Sequence, residues 1–391
     1  MSQLNYLEKL LDGVVVEWIA LREVVKTVTA PAKLKRESYR ETGKTPIIDQ
    51  GEKFITGYTD EDVKALPLGE YVIFGDHSEH IKYVDFSFIQ GADGLKILKS
   101  ISDNPKYVYY SFLNFYKKEL NYKRHWASAS ETLIPIPCPD NPEKSLAIQA
   151  EIVRILDAFT AMTTELTTEL NLRKKQYNYY RDKLLSFEEG DVEWRALSEM
   201  AEYSKARISY TELDDSNYVG VESLLQNRAG KIDSTRTPDS GNLTQYNPDD
   251  ILIGNIRPYL KKIWHADRVG GTNGDVLVVH PTDTAINPRY LYQVLADDKF
   301  FEYNMQHAKG AKMPRGNKPK IMEYLVPIPF ASDREKSLSE QKRIVTILDK
   351  FDTLTNSITE GLPREIELRQ KQYEYYRDLL LSFPKSNEGA A

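Results

Sequence analysis

The sequence of 391 residues is poor in cysteine and has no long apolar run. Its one cysteine, Cys138, excludes an intramolecular disulfide and a cysteine-rich zinc site, and favours a reducing compartment. No apolar stretch reaches the roughly 20 residues that a transmembrane helix needs, and the first segment, MSQLNYLEKLLDG, lacks a signal-peptide pattern. We therefore expect a cytoplasmic protein with no membrane span.

Several catalytic signatures are also missing from the sequence. There is no GxxxxGK[ST] phosphate loop and no GxSxG nucleophile elbow. The strings that come nearest to the Asn-Pro-Pro-aromatic tetrapeptide of a nucleic-acid methyltransferase begin at Asn104 and Asn287, and both lack the second proline. The sequence therefore shows no sign of a nucleic-acid methyltransferase, a nucleotide-driven motor or a hydrolase with a nucleophile elbow.

An excess of positive charge is absent as well. The chain has 52 Lys and Arg against 58 Asp and Glu, a formal net charge of −6. This balance excludes an evenly cationic surface for nucleic acid, but it allows local basic patches.

An internal repeat organises what is present. The segment VEWIALRE from Val16 returns 176 residues later as VEWRALSE, and LIPIPCPDNPEKSLAIQAEIVRILDAF from Leu133 returns 192 residues later from Leu325. RKKQYNYYRDKLLSF from Arg173 returns 196 residues later from Arg369. The sequences between these segments differ. The chain is therefore a duplicated frame that carries two dissimilar globules.

The first residues complete a circular order, because Tyr6–Leu11 resembles a truncated copy of the element on which the chain finishes. The repeats predict five regions: a partial helical repeat (1–15), a first globule (16–142), a central helical spacer (143–190), a second globule (191–334) and a second helical spacer (335–391).

The repeated segments have the pattern of long helices. Apolar residues recur every three or four positions from Ile148 to Leu166, a stripe that needs a facing helix, for which the other copy from Leu338 is the expected partner. Ser337 and Glu340 match a capping box at the start of that copy. Pro363 predicts an interruption of the second helix. The IPIP and VPIP segments before the two helices predict extended arms.

The first spacer contains a tandem tetrapeptide. Its residues are Thr163, Thr164, Glu165, Leu166, Thr167, Thr168, Glu169 and Leu170. Four helical residues add about 6 Å and roughly 40° of rotation, whereas one DNA base pair adds about 3.4 Å and about 34–36°. The rotation is close to one base pair and the rise is closer to two. The tandem is thus a plausible unit for changing a spacing along DNA; neutral slippage in an exposed helix is the alternative.

The two globules have α+β composition. Glu70–Phe74 and Tyr83–Phe88 predict strands in the first, and Asp250–Gly254 and Asp275–Val279 predict strands in the second. Helices are expected near 106–120 and 288–306.

Basic clusters at equivalent places in the two globules favour nucleic-acid contact over an ordinary charged surface. The candidates in the first globule are His77, His80, Lys82, Lys117, Lys118, Lys123 and Arg124. The candidates in the second are Arg257, Tyr259, Lys261, Lys262, Lys309, Lys312, Arg315, Lys318 and Lys320.

Two unlike globules, each ending in a Pro-Ile-Pro arm and a repeated RKKQYNYYRDKLLSF helix, resemble the specificity subunit of a type I restriction–modification system. The tandem TTEL resembles the IC group of that family. The resemblance covers the whole chain. It implies two α/β target recognition domains separated by two long antiparallel, coiled-coil-like helices in a pseudo-two-fold, circular arrangement.

The resemblance also implies a non-catalytic, DNA-reading subunit that has no cofactor of its own. Each domain would read one half of a bipartite, asymmetric double-stranded DNA target, and the helices would set the gap. Two modification (methyltransferase) subunits carrying S-adenosylmethionine would dock on the helices, and restriction subunits using ATP and Mg²⁺ would join them. The candidate docking residues are Tyr177, Tyr180, Arg181, Tyr373, Tyr376 and Arg377.

Two other functions remain open at the level of sequence. Asp76, His77, His80 and Asp85 suggest a metal-dependent nuclease, but a metal site needs three or four convergent ligands and this segment has the pattern of a hairpin connection, so we expect none. A pure helical scaffold whose globules bind protein is the other. Metal content and DNA cleavage by the purified single chain test the nuclease, and sequence-selective DNA binding by the assembled complex would exclude the scaffold.

Overall fold

The computed structural model describes residues 13–91, 93–187, 192–357 and 359–383. The chain divides into a first unit, Met1–Met162 with Arg369–Ala391, and a second unit, Thr163–Leu368. The partial repeat expected at Tyr6–Leu11 lies outside the described residues.

Each unit contains one two-stranded antiparallel sheet built from repeated sequence. Strand β1 (Val16–Ala20) pairs with β9 (Leu133–Pro137), and β10 (Val192–Ala196) pairs with β19 (Leu325–Pro329). The registers are equivalent, with Trp18 opposite Pro135 and Trp194 opposite Pro327. Proline lacks an N–H donor and is suited to such edge strands. The extended arms are confirmed, but their pairing with the VEW segments was not predicted.

The first unit contains two further sheets. The four-stranded sheet has the order β2-β8-β5-β6 and the three-stranded sheet has the order β4-β3-β7. Their bounds are β2 Val25–Val28, β3 Thr45–Ile48, β4 Gly57–Thr59, β5 Tyr71–Gly75, β6 Ile81–Val84, β7 Ile89–Gln90 and β8 Leu95–Ser100. The helices before the arm are α1 Leu21–Val24, α2 Pro105–Phe115 and α3 Trp126–Ala129. Buried Phe74, Leu98 and Phe112 join the larger sheet to α2 in one core.

The second unit repeats this plan with different residues. Its two four-stranded sheets have the orders β11-β18-β15-β16 and β12-β14-β17-β13. The bounds are β11 Ala201–Tyr203, β12 Arg207–Ser209, β13 Tyr218–Val219, β14 Asn242–Tyr246, β15 Ile251–Gly254, β16 Ile263–His265, β17 Gly270–Thr272 and β18 Val276–Pro281. The helices are α5 Pro288–Leu295, α6 Asp298–Gln306 and α7 Lys318–Met322. The first of these sheets has the strand order of the four-stranded sheet in the first unit.

Three long helices complete the fold: α4 (Pro142–Leu184), α8 (Arg334–Asn356) and α9 (Gly361–Leu381). The expected interruption of the second repeat is confirmed, because α8 ends and α9 begins on either side of 357–360. The tandem tetrapeptide lies inside α4, which continues through it. The α+β fold with long packed helices is therefore confirmed.

The helices pair as predicted, because the partner of α4 in each unit comes from the other helical copy and the two run antiparallel. In the first unit, Phe159 of α4 stacks on Tyr376 of α9 at 5.1 Å between ring centroids. In the second unit, Tyr180 of α4 stacks on Phe351 of α8 at 5.4 Å. The stripe that begins at Ile148 therefore packs on the later half of the other copy, and not on its beginning at Leu338. Each unit combines the first half of one helical repeat with the second half of the other.

The start of α8 also differs from the expected one. Asp333 is the N-cap and accepts a hydrogen bond from the Lys336 amide at 3.1 Å, so the helix begins before Ser337. Ser337 is buried inside the helix and accepts from the Gln341 side chain. The capping box is therefore wrong, because an aspartate four residues earlier caps the helix.

A duplicated polar contact joins each globule to its helix. The buried Gln149 of α4 accepts a hydrogen bond from the Asn104 amide at 2.8 Å. The buried Gln341 of α8 accepts from the Asn287 amide at 2.7 Å. Both asparagines cap the helix that follows them. The repeated frame thus fixes each globule on its helix in the same way.

An ion pair beside each glutamine is duplicated too. Lys106 lies 2.8 Å from Asp157 in the first unit, and Arg289 lies 2.9 Å from Asp349 in the second.

Within the residues that the structure describes, no helix combines the length and apolarity needed to cross a membrane.

Candidate nucleic-acid interface

A basic loop, Lys117–Arg124, joins α2 to α3 in the first unit. Its base is held by Glu79 from the turn between β5 and β6. The Glu79 carboxylate is 2% exposed and accepts hydrogen bonds from the Tyr116 hydroxyl at 2.6 Å and from the Glu119 and Leu120 amides at 2.8 and 2.9 Å. We call Lys117–Arg124 the first basic loop. A buried carboxylate thus fixes the backbone of a surface segment.

The electrostatics of Glu79 agree with this role. Burial alone raises the pKa of a carboxyl group, but the three hydrogen bonds and the nearby His125 outweigh it and lower the pKa of Glu79. Glu79 is therefore held as a carboxylate, the form that accepts all three hydrogen bonds.

Two further contacts hold the far side of this loop. His125 is fully buried, and its Nε2 lies 2.8 Å from the Asn121 carbonyl oxygen. Asp76 accepts from the amide of Trp126 at 2.8 Å through its carboxylate, and from the amide of His125 at 2.8 Å through its backbone carbonyl. The turn between β5 and β6 therefore supports the whole loop from below.

The tip of the loop presents apolar and cationic side chains to solvent. Leu120 is 85% exposed and Tyr122 is 92% exposed, and the Tyr122 ring stacks on His77 at 5.6 Å. Lys117, Lys118 and Arg124 are exposed on either side. Beside the loop, a cleft of about 270 Å³ is lined by both cations and carboxylates; they include Lys33, Lys96, Arg124, Asp76 and Asp93, and Lys33 lies 3.0 Å from Asp93.

In the second unit the equivalent position, between α6 and α7, is occupied by a hairpin. Lys309 and Arg315 exchange two backbone hydrogen bonds of 2.9 and 2.8 Å. Gly310 adopts a φ of +100°, which favours glycine. Lys309, Lys312 and Met313 are exposed on this hairpin. We call 309–315 the second basic hairpin.

A third basic segment lies against this hairpin. The Arg257 amide donates to the Pro314 carbonyl at 2.7 Å, and the Gly316 amide donates to the Asn255 carbonyl at 3.0 Å. These bonds place the exposed Arg257 and Tyr259 beside the hairpin, although the two segments are about 50 residues apart in the chain. Two clusters that were separate in sequence thus form one basic surface.

The comparison with known families agrees with this architecture. The model of the family "Type I restriction modification DNA specificity domain" matches residues 15–173 and 189–368. The chain belongs to this family. It is a DNA sequence-specificity subunit of a type I restriction–modification system, which is a non-catalytic subunit with no cofactor of its own.

Relatives match the specificity subunit over nearly its whole length. The EcoR124I/EcoR124II specificity subunit of Escherichia coli is 42% identical and covers 98% of both chains. The EcoprrI specificity subunit of Escherichia coli is 32% identical over 92% of this chain and 93% of its own. The crystal structure of an S subunit from M. genitalium has a TM-score of 0.63 at 16% identity and covers 96% of this chain and 98% of that chain. That structure supports the fold alone. The family resemblance in the sequence is confirmed, and the IC grouping stays a prediction.

Not every predicted cation of the specificity subunit faces solvent. Lys82 is 6% exposed, and its ammonium donates to the carbonyl oxygens of Asp49 at 2.9 Å and Lys53 at 2.6 Å. Burial lowers the pKa of Lys82, and the charge of Asp49 offsets part of that effect. Its place is therefore structural, because a strand residue that faces inward cannot reach a phosphate. His80 is half-buried against the Gln50 carbonyl, with its Nδ1 at 3.3 Å.

Lys261 and Lys262 are also engaged within the second unit. The Lys261 ammonium lies 2.7 Å from Asp298, and that of Lys262 donates to the Val221 carbonyl at 2.6 Å. Burial is the main cause that lowers the pKa of both. Neither ammonium is directed to solvent as the sequence suggested.

Three more predicted cations are exposed or half-exposed but lie in ion pairs. Arg315 lies 2.6 Å from Asp275, Lys320 lies 2.5 Å from Glu323, and Lys123 pairs with Glu119. Lys318 is exposed at the start of α7. The residues best placed for phosphate are therefore Lys117, Lys118, Arg124, Arg257, Lys309, Lys312 and Lys318.

The predicted docking residues on the helices mostly face inward. Tyr177 is 3% exposed and stacks on Phe351, and Arg181 is 2% exposed with its guanidinium over the Tyr177 ring. Tyr180 stacks on Phe351 too, as described above. In the first unit, Tyr373 belongs to the helix core and Arg377 pairs with Asp378. Tyr376 stacks on Phe159. These side chains pack the helices of the chain itself.

Two helix tyrosines that the sequence did not single out are more exposed than Tyr180, which is 36% exposed. Tyr179 on α4 is 60% exposed and Tyr375 on α9 is 54% exposed. They occupy equivalent places in YNYY and YEYY, one residue before the stacked tyrosine. Helical phase could have separated them, because successive residues lie about 100° apart around a helix.

The residues of the nuclease alternative are dispersed among structural contacts. Asp76 caps α3, while the Nδ1 of His77 lies 3.0 Å from the Lys123 carbonyl oxygen, which can only accept a hydrogen bond. Among the described residues, no three His, Cys, Asp or Glu side chains converge as a metal site requires.

Proposed function

We propose that each unit reads one half of a bipartite, asymmetric double-stranded DNA target. The first unit uses the first basic loop, and the second unit uses the second basic hairpin with Arg257 and Tyr259. One observation carries the proposal: both basic segments lie just before the short helix that leads into the proline-rich strand, in two otherwise unlike globules. Unlike readers on a duplicated frame suit a target whose halves differ.

The charge distribution supports this assignment. A chain of net charge −6 has no general attraction for DNA, so contact depends on local cations. Exposed lysines and arginines at the two segments bind phosphates and fix the register, while neighbouring side chains reach base edges.

The helices set the gap between the half-sites. The tandem tetrapeptide starts at Thr163, where the first unit ends and the second begins along α4. Each added tetrapeptide lengthens the helix by about 6 Å with roughly 40° of rotation, a step close to one or two base pairs.

The same helices dock two modification (methyltransferase) subunits, which carry S-adenosylmethionine, and the complex recruits restriction subunits that use ATP and Mg²⁺. The equivalent, exposed Tyr179 and Tyr375 support two similar docking events, because the duplicated sequence presents the same aromatic residue twice. Large exposed aromatics are enriched at protein interfaces.

The assembled complex provides the test. The chain with its modification subunits is incubated with duplexes at several salt concentrations, and the slope of log affinity against log salt is measured. Replacing Lys117 and Lys118 by alanine should reduce the slope by about 2, because each phosphate contact releases about one counterion. Replacing Lys309 and Lys312 should do the same.

A matched control lies in the same unit. Lys26 and Lys99 are exposed cross-strand neighbours at the end of β8 that is remote from the turn at 76–80. Their alanine variant should keep the slope of the wild-type chain. Equal slopes for the loop variants and this control would remove the basic segments from the interface.

A further inference from the structure

The first basic loop contains a backbone conformation that its own sequence does not favour. Leu120 has a φ of +56°, in the left-handed region, and it is a bulky residue with no polar side chain to stabilise that conformation. Such residues persist only where the surroundings enforce them, and they concentrate at functional sites.

The enforcing contact comes from beneath the loop. Glu79 accepts the amides of both Glu119 and Leu120, and it is almost completely buried. Burying a carboxylate carries a large cost unless it is fully hydrogen-bonded. Here that carboxylate holds a strained leucine whose side chain is 85% exposed and packs little of its surface against the protein. The contact therefore presents the side chain outward.

The neighbours of Leu120 in the loop indicate which kind of partner its side chain contacts. Tyr122, 92% exposed, lies two residues away, and the exposed Lys117, Lys118 and Arg124 lie in the same loop. Apolar side chains among exposed cations match a DNA groove, where phosphates line the edges and thymine methyl groups and base faces lie inside. A protein partner of the same surface would leave three cations to be neutralised, so charge favours double-stranded DNA.

The second unit shows the same combination independently. Met313 is 49% exposed at the tip of the second basic hairpin, beside Lys312. The tip of each basic segment thus carries an exposed apolar side chain, although the two segments share no sequence.

We propose that Leu120 and Tyr122 are specificity-determining residues that contact base edges in the half-site read by the first unit, and that Glu79 is the positioning residue that aims them. This assignment rests on the proposed function of the first unit. The cations of the loop bind phosphates of any sequence, whereas these two side chains distinguish bases.

The experiment uses the full chain assembled with its modification subunits and a pool of duplexes in which both half-sites are randomised. Bound DNA is sequenced for the wild-type chain and for Leu120→Ser and Tyr122→Ser. Each variant should lose about 5- to 100-fold discrimination at one or two positions of a single half-site, the range of a good base contact. The other half-site should keep its preferences.

Leu68→Ser is the matched control. Leu68 is 76% exposed in the same unit, but it precedes β5, whereas the loop lies at the opposite end of that strand. This variant should keep every base preference. Leu120→Gly should lose discrimination while its thermal midpoint stays equal or rises, because glycine accepts the left-handed backbone.

Unchanged preferences at every position in the Leu120 and Tyr122 variants would overturn the inference, and so would a uniform loss of affinity with the same preferred bases. Failure of the proposed function looks different, because the wild-type complex itself would then select no bipartite sequence.

Discussion

The lysines that were predicted to contact DNA in the first unit lie in different environments. Lys117 and Lys118 lie exposed on a loop, while Lys82 lies on the inward face of β6 and donates hydrogen bonds to two backbone carbonyl oxygens. Side-chain alternation in a strand turns successive residues to opposite faces, and a carbonyl-lined site retains an ammonium that finds enough acceptors. Net charge therefore says little about which cations reach DNA.

Lys82→Met separates the two roles. The variant keeps the apolar stem but leaves the Asp49 and Lys53 carbonyls without their donor, so we expect a loss of about 1–3 kcal/mol in the free energy of unfolding. Urea unfolding measures it. The salt dependence of DNA binding should not change. A smaller salt slope at unchanged stability would give Lys82 a phosphate contact instead.

Glu79→Gln should show a pH dependence with a definite sign. The pKa of Glu79 is lowered in the folded protein, so its contribution to stability is present above the ordinary value of 4.5 and is lost as pH falls through the lowered value. We expect the variant to be about 1–3 kcal/mol less stable at pH 7, with the difference shrinking below about pH 4.5. Parallel unfolding curves from pH 7 to pH 3 would contradict this, because then the carboxylate would not matter.

At the scale of elements, the duplicated frame and the pairing of its two helical copies were predictable, but the halves that meet in each unit were not. The repeated arms and helices follow from proline geometry and apolar spacing, which are local properties of the sequence. The exchange of helix halves between copies depends on which surfaces meet in three dimensions. The same limit applies to the candidate interface. The two basic segments were visible in the sequence as runs of charge. The contact between Arg257 and the second basic hairpin, and the hydrogen bonds from the first basic loop to Glu79, join residues that are far apart in the chain.

Gln341→Leu tests the contact between globule and helix. The Asn287 amide and the Ala285 carbonyl would both lose their buried partner, so we expect a loss of about 2–4 kcal/mol. Gln149→Leu should destabilise the first unit to a similar extent. Gln370→Leu, at an exposed position of α9, should stay within about 0.5 kcal/mol of the wild type. Equal effects at all three positions, measured by urea unfolding, would contradict a special role for the duplicated glutamines.

Deleting Thr167–Leu170 tests the helix as a spacer. Losing one tetrapeptide shortens α4 by about 6 Å with roughly 40° of rotation, so the complex should prefer a gap shorter by about one or two base pairs, with both half-sites unchanged. Selection from a pool of duplexes with different gaps measures this. Thr167→Ala with Thr168→Ala keeps the length and should keep the gap. A deletion that changes the preferred bases would show that the tetrapeptide does more than set the distance.

At the scale of the whole molecule, the chain combines a repeated frame with two globules of different sequence. The repeated arms, helices and glutamine contacts hold two globules in equivalent ways, while the sequences that form the reading surfaces have diverged. Under the proposed function, such a design separates assembly from recognition: partners would meet the same helices twice, and DNA would meet two different surfaces. The acidic total charge fits the proposal that contact with DNA is confined to two exposed segments.

The proposed function requires that one chain specifies two unlike half-sites at a fixed distance. Mapping methylated adenines across the genome of a host that carries the complete system tests it most directly, because half-sites and gap are read together. We expect one non-palindromic motif with two specified parts separated by a gap of constant length and unspecified sequence. A contiguous or palindromic motif, or a gap that varies from site to site, would contradict it.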